Sequence, residues 1–263
     1  MNAIMFGLGI AAVDSAGHGE APRFYLSEAV IAAIAGVLLV RHQHTVASPI
    51  LPVDLLRIPI FTLSICTSIA SFCAQMLGLV ALPFYLNDHF GYSAVEIGLM
   101  ITPWPIATAV AAPVAGRLVE RHPAGLLGGI GLVLFAAGLT TLAYLPAHPA
   151  TLDVVWRMAL SGAGFGLFQA PNNRTMIAAA PRERSGGASG MLGTARLLGQ
   201  TIGAALVALL LARYPEGGTR MALLVGAGFA ILGAGLSTLR LSPAGARGAD
   251  AVRVRDGQRA TGE

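Results

Sequence analysis

Two arginines lie inside stretches of sequence that are otherwise apolar and rich in glycine. Arg157 falls within residues 153–171 and Arg196 within residues 190–212, and each stretch is long enough to cross a bilayer. Placing an arginine near the centre of a membrane costs at least about 2.5–3.5 kcal/mol, so such a residue usually meets a polar partner or a water-filled path. The two arginines therefore indicate a polar path between membrane-spanning helices.

Small and polar side chains recur at helical spacing around these arginines and in two further apolar stretches. The candidates for a substrate cavity are Ser68, Ser71, Gln75, Trp104, Thr108, Arg157 and Ser161. Each of these residues either lines such a cavity or has a purely structural role, and both interpretations stay open. Hydroxyls at this spacing also join helices, Trp104 also suits core packing, and Arg157 also suits an anchor at the membrane interface.

A second stripe of small and polar residues follows one face of the stretch at residues 190–212. Its members are Gly193, Arg196, Gln200 and Gly203. Glycines at this spacing let a neighbouring helix approach closely. The stripe predicts either close packing with Arg196 reaching toward the headgroups, or a part in gating and in the cavity.

The composition points to a membrane protein. Of the 263 residues, 55% are hydrophobic and only 11% are charged, and the mean hydropathy is +0.69. Soluble domains carry about 25% charged residues, so this chain could not cover a soluble surface. The basic residues, all arginine, cluster in short loops between apolar runs, which is typical of topology control and argues against nucleic-acid binding.

Apolar runs of about 20 residues predict eight membrane spans. They are residues 2–16, 24–40, 61–86, 95–116, 124–145, 152–171, 190–212 and 221–240. The first run has no basic residues ahead of it, which argues against a signal peptide. It begins almost at Met1 without a cap or a flanking charge, so we expect a helix cut from a longer chain. The predicted fold is an all-α polytopic membrane protein.

Loop charges orient these spans. Twelve arginines fall on one side, three on the other, and Arg157 and Arg196 are embedded. Because cytoplasmic loops carry the excess of basic residues, the C-terminus is predicted to be cytoplasmic. The acids near the spans, Asp14, Glu28, Glu96 and Asp153, fall toward the outer side and are interpreted as loop or cap residues rather than proton carriers.

The chain divides into four predicted regions. Residues 1–48 hold two helices, and residues 49–60 form an amphipathic linker, broken by prolines, along the cytoplasmic face. Residues 61–240 form a six-helix bundle, in which Pro103, Pro105 and Pro113 predict a kink. Residues 241–263 are too polar and glycine-rich to build a core, so we expect a disordered tail.

The most specific local motif is the loop AGRLVERHPAG at residues 115–125. Gly116 would permit close helix contact, Arg117 and Arg121 mark the cytoplasmic end, and Glu120 can pair with them. The loop resembles the G-x-L-x-D-R motif of the major facilitator superfamily, with Glu120 in place of the aspartate. His122 and Pro123 depart from the longer basic form of that motif.

Longer segments narrow the resemblance. Residues 51–61, 100–118, 162–173 and 184–206 are similar to the fourteen-span drug:proton antiporter family, whose members export quaternary ammonium compounds, methyl viologen and dyes. On that alignment the first two spans are the family's two extra central helices. Residues 61–240 are then its C-terminal six-helix bundle, and the N-terminal bundle is missing.

The resemblance implies part of a proton-coupled multidrug exporter that works by alternating access in the bacterial cytoplasmic (inner) membrane. Its partners would be the lipid bilayer, protons and a small cationic or amphipathic drug-like substrate. Two other hypotheses stay open. The chain could be a facilitator for a polar metabolite, or a truncated or split half that is inactive alone and assembles with a separately encoded N-terminal bundle. No enzyme motif, metal cluster or cofactor signature is found in the sequence.

Overall fold

The structure, a computed structural model, describes residues 53–146, 149–181, 184–214 and 217–241. The spans predicted at residues 2–16 and 24–40, most of the predicted linker, and all but the first residue of the predicted tail lie outside the described residues. The described part begins with a short 3-10 helix at Val53–Arg57, called here the linker helix. The α-helices that follow are α1 Pro59–Phe90, α2 Ala94–Ile101, α3 Pro103–Leu118, α4 Ala124–Ala143, α5 Thr151–Ala179, α6 Ser185–Arg213 and α7 Gly218–Leu239.

These helices match the six spans predicted for residues 61–240. Among the described residues, five helices are long and apolar enough to cross a membrane: α1, α2 and α3 taken together, α4, α6 and α7. Helix α5 is 29 residues long but more polar. Its polar residues include Ser161 and Asn172, which are buried between helices rather than turned toward lipid. The described residues therefore form an all-α bundle of five candidate membrane spans, with α5 packed among them.

Two of the predicted boundaries were wrong. Helix α5 continues to Ala179, so Pro171 lies inside the helix and Arg174 is helical rather than a loop residue. A proline removes one backbone hydrogen bond, but the turn after it is supported because the Thr175 hydroxyl donates to the Pro171 carbonyl at 2.9 Å. Helix α6 likewise begins at Ser185, five residues before the predicted start.

The helix is interrupted between α2 and α3, within the proline-containing segment for which a kink is predicted. The helix breaks at Thr102, directly ahead of Pro103, while Pro113 lies inside α3. Thr102 closes the last turn of α2 through its backbone N–H and its hydroxyl, both of which donate to the Gly98 carbonyl. A proline at the first position of a helix loses no intrahelical bond, which explains why the new helix begins there.

Helices α1 and α5 lie at the centre of the bundle. Helix α1 packs against α5, α6 and α7, while α5 packs against α1, α3 and α4, and α4 packs against α7. Glycines allow several of these approaches. At Gly203 of α6, for example, an added Cβ would lie only 2.7 Å from the Cys73 carbonyl of α1. The two flanking units, α2–α3 and α6, are thus held on opposite sides of the central pair.

The linker helix is docked against the bundle rather than lying free along its surface. Leu55 is only 2% exposed and belongs to an apolar cluster with Phe61 of α1, Met176 of α5 and Ala188 of α6. An ion pair of 2.7 Å between Asp54 and Arg184 adds a polar contact to the start of α6. The linker helix therefore connects the neighbouring ends of α1, α5 and α6.

Candidate functional site

Two units of the bundle, α2–α3 and α6, have large surfaces with no partner among the described residues. Only 22% of the most apolar window of α6 and 17% of that of α2–α3 is buried. The exposed large apolar side chains of these units include Val95, Leu99, Ile106, Val110, Val114, Leu197 and Leu209. Surfaces of this kind meet lipid or another helical bundle.

Arg196 lies where α6 meets the central pair of helices. Its guanidinium carbon is 5.6 Å from the ring centroid of Phe72 on α1, in a cation–π arrangement. Phe72 in turn meets Phe165 of α5 edge to face, with ring centroids 5.4 Å apart. Arg196 itself is exposed. A positive charge therefore lies over the contact between α1 and α5. The aromatic partner of Arg196, Phe72, was not indicated by the sequence.

The two predicted site glutamines lie next to Arg196 and Phe72. Gln75 follows Phe72 by one turn of α1, and Gln200 follows Arg196 by one turn of α6. Both side chains are partly exposed, and neither forms a hydrogen bond with another residue of the described ranges. Residues three or four apart share a helix face, so the two amides extend the polar surface that begins at Arg196.

The predicted stripe of α6 is divided in the structure. Gly203 is buried and packs closely on α1, with Cys73 beside it, whereas nothing lies within 4 Å of a Cβ placed at Gly193. The two glycines are about 80° apart around the helix, at about 100° per residue. Close helix contact is therefore present at Gly203 and absent, among the described residues, at Gly193, which lies on the exposed side with Arg196.

Ser68 and Ser71 are buried between helices. Ser68 accepts a hydrogen bond of 2.8 Å from the Asn172 side-chain amide of α5, and the Ser71 hydroxyl donates to the Ser68 carbonyl at 2.9 Å. Neither side chain is exposed. Of the two interpretations left open, the structure shows the helix contact, and the two serines do not line an open cavity in this arrangement.

A buried polar network surrounds Arg240, the last residue of the span predicted at residues 221–240. Only 7% of Arg240 is exposed. Its guanidinium donates to Asn172 Oδ1 at 2.8 Å and to the hydroxyls of Ser64 at 3.0 Å and Ser237 at 2.6 Å. The Ser237 hydroxyl then donates to the Gly125 carbonyl of α4. This network, which the sequence analysis missed, joins α1, α4, α5 and α7.

Trp104 and Thr108 hold α3 against its neighbours. Trp104 is 3% exposed and meets Phe135 of α4 edge to face at 5.3 Å, so its ring does not offer an open aromatic face. Thr108 donates to the carbonyls of Trp104 at 3.0 Å and of Gly162 on α5 at 2.9 Å. The structure therefore supports core packing for Trp104 and a helix contact for Thr108.

Arg157 and Ser161 face α4. Ser161 is buried directly against Gly138, and its hydroxyl donates to the Arg157 carbonyl at 2.9 Å. Arg157 has a loose ion pair of 3.8 Å with Asp153 and lies 5.0 Å from the ring centroid of Trp156. Its Nε and Nη1 atoms are buried without a hydrogen-bond partner. The contacts of Arg157 are therefore with its own helix, whereas those of Arg196 are with Phe72 of α1.

The loop after α3 is exposed. Arg117, Glu120 and Arg121 are all exposed, and within the described ranges Glu120 forms no ion pair with either arginine, which contradicts the predicted pairing. Exposed pairs gain little free energy, so their absence is unsurprising. Nothing lies within 4 Å of a Cβ at Gly116, so the expected close helix contact is also absent among these residues.

The carboxylates near the spans act as helix caps where the structure describes them. Glu96 accepts hydrogen bonds from the backbone and hydroxyl of Ser93, each at 2.8 Å, and Asp153 accepts from the Ala150 backbone at 3.2 Å. The cap interpretation is confirmed for these two. Asp14 and Glu28 lie outside the described residues. The described ranges contain no group of three His, Cys, Asp or Glu side chains placed to hold a metal ion.

Comparison with known proteins identifies the fold family. Residues 63–257 match the family model of the major facilitator superfamily. The chain is 56% identical over 242 residues to "Uncharacterized transporter YebQ" of Escherichia coli K12, covering 92% of this chain and 53% of that protein.

Two further relatives have names that state drug resistance or efflux. Multidrug resistance protein Stp of Mycobacterium tuberculosis is 31% identical over 183 residues, which are 70% of this chain and 34% of Stp. Multidrug efflux pump LfrA of Mycolicibacterium smegmatis is 26% identical over 198 residues, which are 74% of this chain and 38% of LfrA. The chain therefore spans about half the length of YebQ, and 34% and 38% of the lengths of Stp and LfrA. By its family match and its helical bundle, the chain belongs to the major facilitator superfamily.

Proposed function

We propose that this chain supplies one bundle of a multidrug exporter that belongs to the fourteen-span drug:proton antiporter family. The observation that carries the proposal is the presence of unpartnered surfaces on α2–α3 and α6. Between these two units lie the central helices α1 and α5, and Arg196 stands over their contact. In transporters of alternating access, two bundles rock about a site near the midplane. A bundle with unpartnered, partly polar surfaces suits that arrangement.

The names of two relatives support drug export as the activity. Stp and LfrA are named for multidrug resistance and multidrug efflux. Four segments of this chain also resemble the drug:proton antiporters, at residues 51–61, 100–118, 162–173 and 184–206. The remaining length of such an exporter would be a second bundle, encoded on the same chain or separately. A small drug-like compound would bind between the two bundles.

Proton coupling would require a carboxylate elsewhere. In the described helices, Asp and Glu residues lie only in the first or last turn: Asp54, Asp88, Glu96 and Asp153. Each unit charge that moves down the membrane potential gains about 2.3 kcal/mol per 100 mV. The proposal therefore assigns the proton carrier to residues outside the described ranges or to the second bundle.

The arginines of the described residues support the predicted orientation in the cytoplasmic membrane. Arg57, Arg117, Arg121, Arg184 and Arg240 lie at one end of the bundle, while Arg213 and Arg220 lie at the other. Because basic residues favour the cytoplasmic side, the proposal places the end of α7 in the cytoplasm.

A chimaeric transporter tests the proposed function. The portion of YebQ that this chain does not match is joined to residues 1–263 and expressed in Escherichia coli cells that lack their main drug exporters. We measure accumulation of xanthene dyes of different charge, with and without a protonophore. We expect the chimaera to lower accumulation of at least one dye, the protonophore to abolish this effect, and residues 1–263 alone to have none.

Three results would count against the proposal. A chimaera that reaches the membrane but leaves accumulation of every dye unchanged would overturn drug export. Export that persists in the presence of the protonophore would overturn proton coupling alone. Export by residues 1–263 without the YebQ portion would show that a second bundle is unnecessary.

A further inference from the structure

Arg196 and Phe72 lie close to the middle of their helices. Arg196 is eleven residues after the start of α6 and Phe72 thirteen residues after the start of α1. At about 1.5 Å per residue, they are roughly 17 Å and 20 Å from those helix ends. The hydrocarbon core of a bilayer is about 30 Å thick. The pair therefore lies at the depth at which transporters of this architecture hold their substrates.

The positive charge of Arg196 has no acidic partner among the described residues. The ion pairs within the described ranges are Arg157 with Asp153 and Arg184 with Asp54. The one charge-related contact of Arg196 is the ring of Phe72, whose centroid is 5.6 Å from the guanidinium carbon and which packs edge to face against Phe165. Arg196 is exposed, so its guanidinium remains accessible.

We infer that Arg196, held on Phe72, is a recognition site for the anionic group of a planar aromatic substrate. A guanidinium presents a rigid fork of donors that matches a carboxylate, and its flat face also stacks on aromatic rings. A substrate ring can therefore lie on the exposed face of Arg196 while a carboxylate or phenolate oxygen accepts from its edge. This inference rests on the proposed function, since it names the substrate class of the same surface.

The neighbouring glutamines support a binding site rather than a lone charge. Gln75 and Gln200 each lie one helical turn beyond a member of the pair, and neither amide is used by another described residue. An amide offers two donors and one acceptor. The site can thus bind hydroxyl or carbonyl groups of a substrate beside its anionic group.

The same charge disfavours a permanently cationic ligand at this surface. Like charges repel most strongly where the surroundings exclude water, and no described carboxylate lies in the middle of a helix to offset Arg196. Of the cationic and amphipathic compounds that the family resemblance implies, this bundle is therefore built for amphipathic ones with an acidic group.

Three dyes that share the xanthene ring system but differ in charge test the inference. Fluorescein is anionic in mildly alkaline buffer, rhodamine B is zwitterionic, and rhodamine 123 is cationic. The 263-residue chain is reconstituted in nanodiscs of phosphatidylcholine, which carries no net charge, and binding is measured by fluorescence anisotropy. We expect fluorescein to bind most tightly, rhodamine B next and rhodamine 123 most weakly.

Substitution of Arg196 identifies the group responsible. Arg196→Gln should weaken fluorescein binding about tenfold or more, a loss typical of one charge-assisted hydrogen-bonded pair, and should leave or improve the binding of rhodamine 123. Arg196→Lys should restore part of the affinity. Arg213→Gln, which removes an exposed arginine at the far end of the same helix, is the matched control and should change neither dye.

The outcome separates this inference from the proposed function. Fluorescein binding that is absent, non-saturable or unaffected by Arg196→Gln would overturn the inference, as would tighter binding of rhodamine 123 than of fluorescein. If the chimaera exports dyes while the binding order is reversed, the inference alone fails. If Arg196-dependent fluorescein binding occurs without export by the chimaera, the proposed function alone fails. Thermal unfolding of Arg196→Gln must match that of the Arg213→Gln control, so that lost binding reflects the site.

Discussion

Arg240 Nη1 donates to Asn172 Oδ1 across 2.8 Å, which joins the end of α7 to the C-terminal part of α5 inside the bundle. The two residues are 68 positions apart in the sequence. The same guanidinium nitrogen also reaches Ser64 of α1 at 3.0 Å. A single side chain therefore fixes the relative positions of both central helices and of α7.

Replacing Arg240 should destabilise the bundle. Arg240→Met leaves Asn172 Oδ1 without its donor, and a buried polar group left unpaired costs about 1–3 kcal/mol. The hydroxyls of Ser64 and Ser237 lose an accepted hydrogen bond but still donate to backbone carbonyls. We expect a clearly lowered midpoint of thermal unfolding in detergent, followed by intrinsic fluorescence. Arg213→Met, at an exposed position, is the control. Equal midpoints for the two variants would show that the network does not contribute to stability.

The sequence predicted the number and order of the described spans because each apolar run is long and bounded by turn residues. It could not predict the role of Arg240, since an arginine at the end of an apolar run is indistinguishable from a tail charge. The partners that bury it, Ser64 and Asn172, come from distant helices. Phe72 was missed for a similar reason, because one aromatic residue in an apolar span carries no local sign of the cation it meets.

Two glycines of α6 should respond differently to the same substitution. Gly203→Ala places a methyl group 2.7 Å from the Cys73 carbonyl, whereas nothing lies within 4 Å at Gly193. Overpacking of this kind typically costs about 1–3 kcal/mol, so Gly203→Ala should lower the unfolding midpoint. Gly193→Ala should preserve or slightly raise it, since alanine favours a helix over glycine. A larger loss for Gly193→Ala than for Gly203→Ala would contradict the observed packing of α6 on α1.

The contact of the linker helix should depend on its leucine more than on its ion pair. Leu55 is almost fully buried, and truncation of such a side chain to alanine costs about 2–5 kcal/mol. Asp54 and Arg184 are partly exposed, and pairs of this kind contribute about 0–1 kcal/mol. Limited proteolysis near the linker should accelerate strongly in Leu55→Ala and little in Asp54→Asn. The reverse order would show that the ion pair holds the linker helix.

Arg157 should tolerate an apolar replacement that Arg240 does not. Its Nε and Nη1 atoms are buried without partners, and its ion pair with Asp153 is long at 3.8 Å. Replacing an incompletely paired buried charge by an apolar side chain of similar volume is often neutral or stabilising. Arg157→Met should therefore unfold at the same temperature as the unchanged chain or higher, in the assay used for Arg240→Met.

Transport by the chimaera extends this comparison from stability to activity. If Arg157 only packs against α4, Arg157→Met should leave dye export by the chimaera near its original level, while Arg196→Gln reduces export of the anionic dye. Loss of export in Arg157→Met with an unchanged unfolding midpoint would instead place Arg157 in the transport pathway. In that case the unpaired Nε and Nη1 atoms of Arg157 would have to gain a partner during the transport cycle, because a buried guanidinium without partners is destabilising inside a membrane.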